Sequence, residues 1–497
     1  MKTITVKLIP LGKEIQTRAG TPCIDLLHGY GVEFPCGGKG TCGKCRIKVL
    51  KGEITADAFH AGRLSALGLE NEWKLACLST CSTDLELEIG QYNALIQVDE
   101  SAFEFIPSHG LGVAFDLGTT TLAAQLLDLA SGKVLAVETA MNPQRRFGSD
   151  LITRLEVCLR DGCDEMTRII RARVGEMIAQ MMMHQTEALE RIAIVGNTVM
   201  HHFFCGRDIR SLSCYPFESP NLDMGHFTSD MLGWSQVKCN DVSFYPSIGS
   251  FVGSDILAGI LATGMHRKEG YSVLIDLGTN GEIVVGNSTR LLCSSTAAGP
   301  AFEGARISCG MQATTGAISS IDQVGDAWRS VVIGNTEPIG ICGSGLIDAI
   351  RILLDAGLIG EFGEIHSGET AITLETNIAL TQKDIQEFQL AKAAIASGIA
   401  ILLRKLGIQS RQVEEIYIAG GFGSYINLEN VIRVGMLDFP VDRIHKLGNS
   451  ALLGGKMFLF EDDSYPETIL KITEHVSLES EPGFQDIFVG NLAFKPI

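Results

Sequence analysis

The chain has 497 residues, 45% of them hydrophobic and 20% charged, and a formal net charge of −18. That length exceeds what one hydrophobic core organises, so two to four domains are expected. Residues 1–92 carry 11 Lys/Arg against 10 Asp/Glu while the remainder carries 29 against 48, an acidic body that excludes nucleic acid as a partner.

In chain order, MKTITVKLIPLGKEI at the start alternates Ile4, Val6 and Leu8. This is the period of a half-buried strand, not the apolar core of a signal peptide. No apolar run reads as long enough to cross a membrane, so a cytoplasmic protein is expected. Its 14 cysteines then read as cofactor ligands and buried thiols more than as disulfides. A strand pair over 2–18 and a helix from Thr21 to about Tyr30 lead into PCGGKGTCGKC at 35–45. From Gly38 this loop matches G-x4-G-K, but Lys44 is followed by Cys45 and by RIKVLKGEI, which alternates like a strand. A phosphate loop needs Ser or Thr there and a helix after it. The cysteine reading fits better. Cys36, Cys42 and Cys45 are spaced C-x5-C-x2-C, with Cys77 farther on, close to the plant-type pattern for a 2Fe–2S cluster. Glycines between them let the backbone fold round such a centre. A structural zinc site is the alternative, using Cys77 and Cys81 as a short pair. Cys23 and Cys81 otherwise read as spare buried thiols. Lys39, Lys44, Arg46, Lys48 and Lys51 form a basic collar suited to an acidic surface, on this chain or on a partner.

The domains expected are 1–92, a linker at 93–110, a first lobe at 111–268 and a second at 269–497. An insertion is expected at about 285–380, with a C-terminal tail at the end. The two lobes repeat each other. GVAFDLGTTT (112–121) matches SVLIDLGTNGE (272–282), IAIVGNTVM (192–200) matches IYIAGGFGS (416–424), and FVGSDILAGI (251–260) matches KLGNSALLGG (446–455). Three matches in one order indicate a duplicated α/β unit. Each D-L-G-T is a strand feeding a tight turn, whose Gly lets the backbone approach phosphates and whose Asp can hold a hydrated divalent metal. Helical patterns lie between the matches, at 150–190 and 384–405, the latter opening on a capping-box signature at 381–384.

Residues 1–90 resemble a 2Fe–2S ferredoxin of β-grasp fold, and the region 112–461 resembles the actin, sugar-kinase and heat-shock-chaperone ATPases. That second resemblance implies a ribonuclease-H-like, two-lobed ATPase using ATP and Mg2+, and gives an α/β fold class with an N-terminal α+β domain. By matching segments it implies that Asp116 and Asp276 position metal and hydrolytic water. Gly118, Thr119, Thr120, Gly278, Thr279 and Asn280 would line the phosphates, Gly420 and Gly421 would contact adenosine, and Glu282 would orient water. Together with NPQRRFGSDLITR (142–154), GICGSGLID (340–348) and GFQDIFVGNLAF (483–494), the pairing resembles the reductive activators of corrinoid enzymes. The resemblance implies an ATP-hydrolysing reductase that returns Co(II) to Co(I) in the corrinoid protein of a methyltransferase system. It implies a low-potential electron donor, with no nucleic acid and no membrane, and leaves room for a homodimer. About twenty residues separate ferredoxin and ATPase, so the middle domain of some activators is expected to be missing. Two other readings stay open: an ATP-driven donor to another enzyme such as an acyl-CoA dehydratase, and a redox-gated, chaperone-like binding module. His201 and His202 are expected to be packed, and Cys309 and Cys342 to be incidental.

Overall fold

The computed structural model describes residues 2–9, 13–27, 45–56, 60, 63–64, 73–89, 105–119, 121–147, 151–215, 217–278, 280–304, 306–311, 313, 316–324, 327–333, 336–366, 368–420, 423 and 426–494. In the N-terminal domain, alternation does what it promised. Thr3–Ile9 pairs antiparallel with Lys13–Arg18 and parallel with Leu85–Ile89. The five-stranded sheet continues through Arg46–Lys51 to Trp73–Leu75. Ile4, Val6, Leu8, Ile47, Leu75 and Leu87 point inward and are fully buried, while their polar neighbours face solvent. The helix there is described over Cys23–Leu27; the expected remainder, with Cys36, Cys42, Lys39 and Lys44, lies outside the described residues.

The duplication is visible in two six-stranded sheets. The first has the order Val134–Met141, Thr121–Asp128, Leu111–Leu117, Leu189–Val195, Val242–Phe244, Gly225–Phe227. The second runs Ile444–Gly448, Val413–Ala419, Tyr271–Leu277, Gly281–Gly286, Leu291–Thr296, Thr473–His475. In both, the D-L-G-T strand lies between an antiparallel hairpin partner and a parallel strand. Its Asp therefore stands at the carboxyl end of a parallel pair, where open α/β sheets bind ligands. The second sheet reaches through Leu291–Thr296, about twelve residues into the stretch expected to be an insertion, because those residues pair as an antiparallel neighbour of Gly281–Gly286. A three-stranded sheet, the helix Gly343–Asp355 and the hairpin Ala371–Thr381 follow.

Helices Ser254–Thr263 and Ser450–Phe458 join the lobes. They pack on each other, and the second also lies on the Leu111–Leu117 and Leu189–Val195 strands of the first lobe. A side chain at Gly454 would collide with the Ala258 backbone, so only glycine lets the helices approach this closely. The expected helical stretch 150–190 is two helices, Leu151–Asp161 and Asp164–Met182. Contrary to the cysteine reading, Cys158 and Cys163 form a disulfide across the turn between them; the turn brings their Cα atoms to 4.7 Å, within bonding range. Thr381 and Asp384 form the expected capping box of Gln382–Leu406. By length and composition that helix is apolar enough to cross a membrane, but 78% of its apolar window is buried inside the fold.

The chain's tail belongs to the second lobe. Lys392, fully buried, donates to the carbonyl of Ala493 and lies 5.4 Å from the Phe494 ring centre, and burial pushes its pKa down to about 7. Phe105, in the expected linker, packs on Phe460 with ring centres 4.4 Å apart. The ferredoxin domain meets the first lobe through an ion pair from Lys13 to the buried Glu138, 2.7 Å long. Lys13 lies outside the basic collar read from the sequence.

Candidate functional site

Two sites are expected, one in each part of the chain. In the ferredoxin domain, Cys45 opens the strand Arg46–Lys51, and Cys77 sits in the single turn Ala76–Leu78 after its antiparallel partner. The Ala76 amide donates to the Cys45 carbonyl at 2.8 Å, and the two Sγ atoms come within 3.2 Å of each other. Two of the four expected ligands, 32 residues apart, thus share one spot, which fits thiolates converging on a common iron centre. Cys23 and Cys81 form a second, deeper pair at 3.4 Å. The thiol–thiol hydrogen bond and burial drive the Cys23 pKa up, as suits a spare buried thiol.

The second site is a cleft of about 660 Å³ between the lobes. Asp116, Gly118 and Thr119 line it from the first turn, Asp276, Gly278, Asn280 and Glu282 from the second, and Gly420 from the end of Val413–Ala419. Thr120, Thr279 and Gly421 lie outside the described residues. Glu282 stands directly across the hairpin from Asp276. Gly420 has φ +86°, and a Cβ there would approach Asp276 Oδ1 to 2.8 Å and the Leu277 carbonyl to 2.5 Å. Backbone conformation and space both demand glycine.

Asp255, in the first turn of Ser254–Thr263, joins these residues. It lies within FVGSDILAGI, one of the repeat's matched segments, and is not among the site residues that the resemblance implies. Four carboxylates now face one cleft. Each keeps part of its surface toward the opening, with protein packed round the rest. Burial pushes Asp116 up to about 6, opposed by a hydrogen bond from Asn449. Burial, and then the neighbouring Asp116 charge, push Asp276 up to about 7. Asp255 reaches about 7 through burial and its Asp116 and Asp276 neighbours. Glu282 is raised well above the usual range by burial, Asp255 and Asp276. Such a group cannot ionise fully without positive charge among its members. A hydrated divalent cation carrying nucleotide phosphates supplies that charge, and the oxygen-only donor set fits Mg2+.

The other residues singled out in the sequence lie elsewhere or play another part. His201 and His202 are buried. His201 packs 4.8 Å from Phe244, and burial lowers its pKa to about 3; His202 bonds Thr198 O and Ser219 Oγ, both at 2.8 Å. Cys342 lines the cleft wall, whereas Cys309 does not.

Comparison with known proteins agrees with this architecture. A 2Fe–2S iron–sulfur cluster binding domain model matches residues 7–82. The model of the RACo middle region matches 111–268, and that of the C-terminal ASKHA domain of RACo matches 270–496. The stretch matched by the middle-region model is the one that folds here as the first lobe. The corrinoid activation enzyme RamQ of Eubacterium limosum is 33% identical over 438 residues, covering 79% of this chain and 72% of the relative. The [Co(II) methylated amine-specific corrinoid protein] reductase of Methanosarcina barkeri is 27% identical over 419 residues, 77% of each chain. The solved structure of a reductive activator for corrinoid, iron–sulfur protein superposes with a TM-score of 0.66 at 26% identity, over 99% of this chain and 98% of that one. This chain belongs to the family of reductive activators of corrinoid proteins, enzymes that join a 2Fe–2S ferredoxin domain to an actin- and sugar-kinase-like ATPase and use the cluster, ATP and Mg2+ as cofactors.

Proposed function

We propose that this chain delivers one electron to the Co(II) of a corrinoid protein in a methyltransferase system, giving Co(I), and that ATP hydrolysis in the interlobe cleft drives the transfer. The observation that carries the reading is the meeting of Asp116 and Asp276, 160 residues apart in a duplicated turn, with Asp255 and Glu282 on one cleft. The same chain sets Cys45 against Cys77. In this reading Cys36, Cys42, Cys45 and Cys77 hold the cluster, which when bound supplies a one-electron carrier near roughly −400 mV. A donor of still lower potential loads it. The protein works in the cytoplasm, without membrane or nucleic acid.

The chain's own residues divide the work. Asp116 and Asp276 orient the hydrated cation. The backbone of Gly118, Thr119, Thr120, Gly278, Thr279 and Asn280 receives the phosphates. The flat surface at Gly420 and Gly421 accepts adenosine. Glu282 or Asp255, both held above the usual carboxylate range by burial and neighbouring carboxylates, orients and deprotonates the attacking water. Reducing Co(II) to Co(I) runs uphill from such a potential, and for one electron each 59 mV is about a factor of ten in the equilibrium constant. Hydrolysis offsets that deficit only where nucleotide and corrinoid partner both prefer one lobe arrangement. The helix crossing at Gly454 supplies a hinge for it.

The test is anaerobic. Chemically reduced protein is mixed with a Co(II) corrinoid protein from the same organism, and Co(I) is followed by its absorbance with and without Mg–ATP. Co(I) that accumulates only with Mg–ATP supports the reading. Equal Co(I) in both samples, or none while the cluster is shown to be reduced, overturns it.

A further inference from the structure

Three asparagines surround the first D-L-G-T turn. Asn142 Nδ2 donates to Gly118 O at 2.9 Å, Asn197 Nδ2 to Thr119 Oγ1 at 2.9 Å, and Asn449 Nδ2 to Asp116 Oδ2 at 2.8 Å. Each holds its amide by the other end. The Oδ1 atoms accept from the backbone N–H of Gln144 (2.9 Å), Met200 (3.0 Å) and Leu452 (2.8 Å). A backbone N–H can only donate, so it fixes the oxygen end of each amide and forces the NH2 toward the turn. Asn197 and Asn449 are also the N-caps of their helices.

The three differ in where they come from. Asn142 and Asn197 follow strands of the first lobe's own sheet. Asn449 follows Ile444–Gly448, a strand of the second lobe's sheet, and opens the helix that crosses back onto the first lobe. Its bond to Asp116 joins residues 333 positions apart. We propose that Asn449 is a positioning residue that fixes the Asp116 carboxylate from the second lobe, so that the cation site is complete only at the lobe angle that brings this amide to Asp116. The proposal rests on the reading of Asp116 as a residue that orients the cation. It assigns to the start of the crossing helix the link between lobe movement and hydrolysis: Gly448 is held in the second lobe's sheet while the helix after Asn449 packs on the first lobe, so a change of lobe angle turns the chain at Asn449 and shifts its amide against the carboxylate.

Two substitutions separate positioning from helix capping. Asn449→Ser and Asn449→Asp both keep an oxygen for the Leu452 amide. Serine is too short to reach Asp116, and aspartate presents a second carboxylate to it. With the full chain, Asn449→Ser is expected to keep the wild-type Tm without nucleotide, and Asn449→Asp to keep it only at about pH 5.5 and below, where the added carboxylate stays protonated. Both should lower kcat for Mg–ATP hydrolysis in the presence of the corrinoid protein by about 10- to 100-fold, the cost of a catalytic group misplaced by about 1 Å. KM for ATP should change less than about threefold. Calorimetric titration with Mg–ADP should show a raised Mg2+ requirement, larger for Asn449→Asp. Wild-type turnover and Mg2+ requirement in both variants overturn the proposal. So does a fall in Tm with kcat and affinity lost in proportion, which marks a purely structural role. Full turnover in Asp116→Ala overturns the reading of Asp116 beneath it; an inactive Asp116→Ala beside wild-type Asn449 variants overturns the proposal alone.

Discussion

Aligned on their D-L-G-T turns, the two lobes share five strands in the same order and directions, yet the positions that carry charge differ. Where the second lobe places Glu282 on the strand after its turn, the first has Leu122, buried in its core. Where the first lobe places Asp255 at the start of its crossing helix, the second has Ser450. Asp116 receives a side-chain amide from Asn449, whereas Asp276 has the Ser450 hydroxyl beside it and packs against the backbone at Gly420. Duplication thus supplies the scaffold and a pair of aspartates, and the breaks in symmetry supply the rest of the chemistry. A single nucleotide has two unlike ends, so a cleft built from two equal halves has to become unequal to orient it.

The largest expected effect comes from the feature the lobes share. Asp116→Ala and Asp276→Ala should each lower Mg–ATP hydrolysis, and the Co(I) formation it drives, by about 10²–10³-fold, the usual cost of removing one preorganised charge-stabilising group. The absorbance of the cluster should be unchanged, because Cys45 and Cys77 flank strands of a separate sheet. Steady-state hydrolysis and the visible spectrum check this. Equal losses in the two variants would mean that the halves contribute alike; unequal losses sharpen the contrast drawn by Asn449.

Next in size are substitutions that restore symmetry. Asp255→Ser makes the first lobe copy the second, and Glu282→Leu makes the second copy the first. Each is expected to cut hydrolysis by about 10²-fold while Mg–ADP still binds, because general-base or water-orienting help contributes roughly that much. Single-turnover hydrolysis with nucleotide binding measured in parallel decides which carboxylate serves the water. The one whose loss spares binding but removes the acid limb of the rate profile, where a base is protonated and idle, is the base.

Much of this was legible in residues. The two turns, their aspartates and the order of the repeats follow from apolar runs ending in D-L-G-T, and the capping box at Thr381 follows from four letters. Glu282 was legible only through the resemblance, at the end of the second matched segment; its strand is buried at every position but its own and shows no alternation. Asp255 was in view but unread: a carboxylate in a helix's first turn is ordinary, and only the fold shows it facing Asp116 and Asp276. Asn449 was further from reach, since no local pattern encodes a hydrogen bond across 333 positions. The same limit applies to the edge strands Gly225–Phe227 and Thr473–His475, three residues each and too short for a period. The Cys158–Cys163 bond was hidden by an inference from compartment, which speaks to averages and not to a turn that brings two Cα atoms together.

The smallest expected effect is on stability, and it tests whether the four carboxylates act as one cluster. In the folded, metal-free chain Asp116 is raised to about 6 and Asp255 and Asp276 to about 7, against unfolded carboxylates near about 4. The folded state therefore binds more protons than the unfolded state between about pH 4 and pH 7. Stability from these groups is present below that window and is lost as pH rises through 6 to 7. In chelator, Tm should fall by several degrees from about pH 5.5 to pH 8, at about 2–4 °C for each kcal/mol lost. Mg–ADP should flatten the slope, because a bound cation keeps the carboxylates ionised at both ends of the range. Asp255→Ser and Glu282→Leu should each flatten it part of the way without cation, since removing one carboxylate relieves the repulsion that raises the others. A metal-free Tm that is level across this range, or that rises with pH, means that the first and second turns do not bring their charges together, and the comparison between the lobes then concerns fold alone.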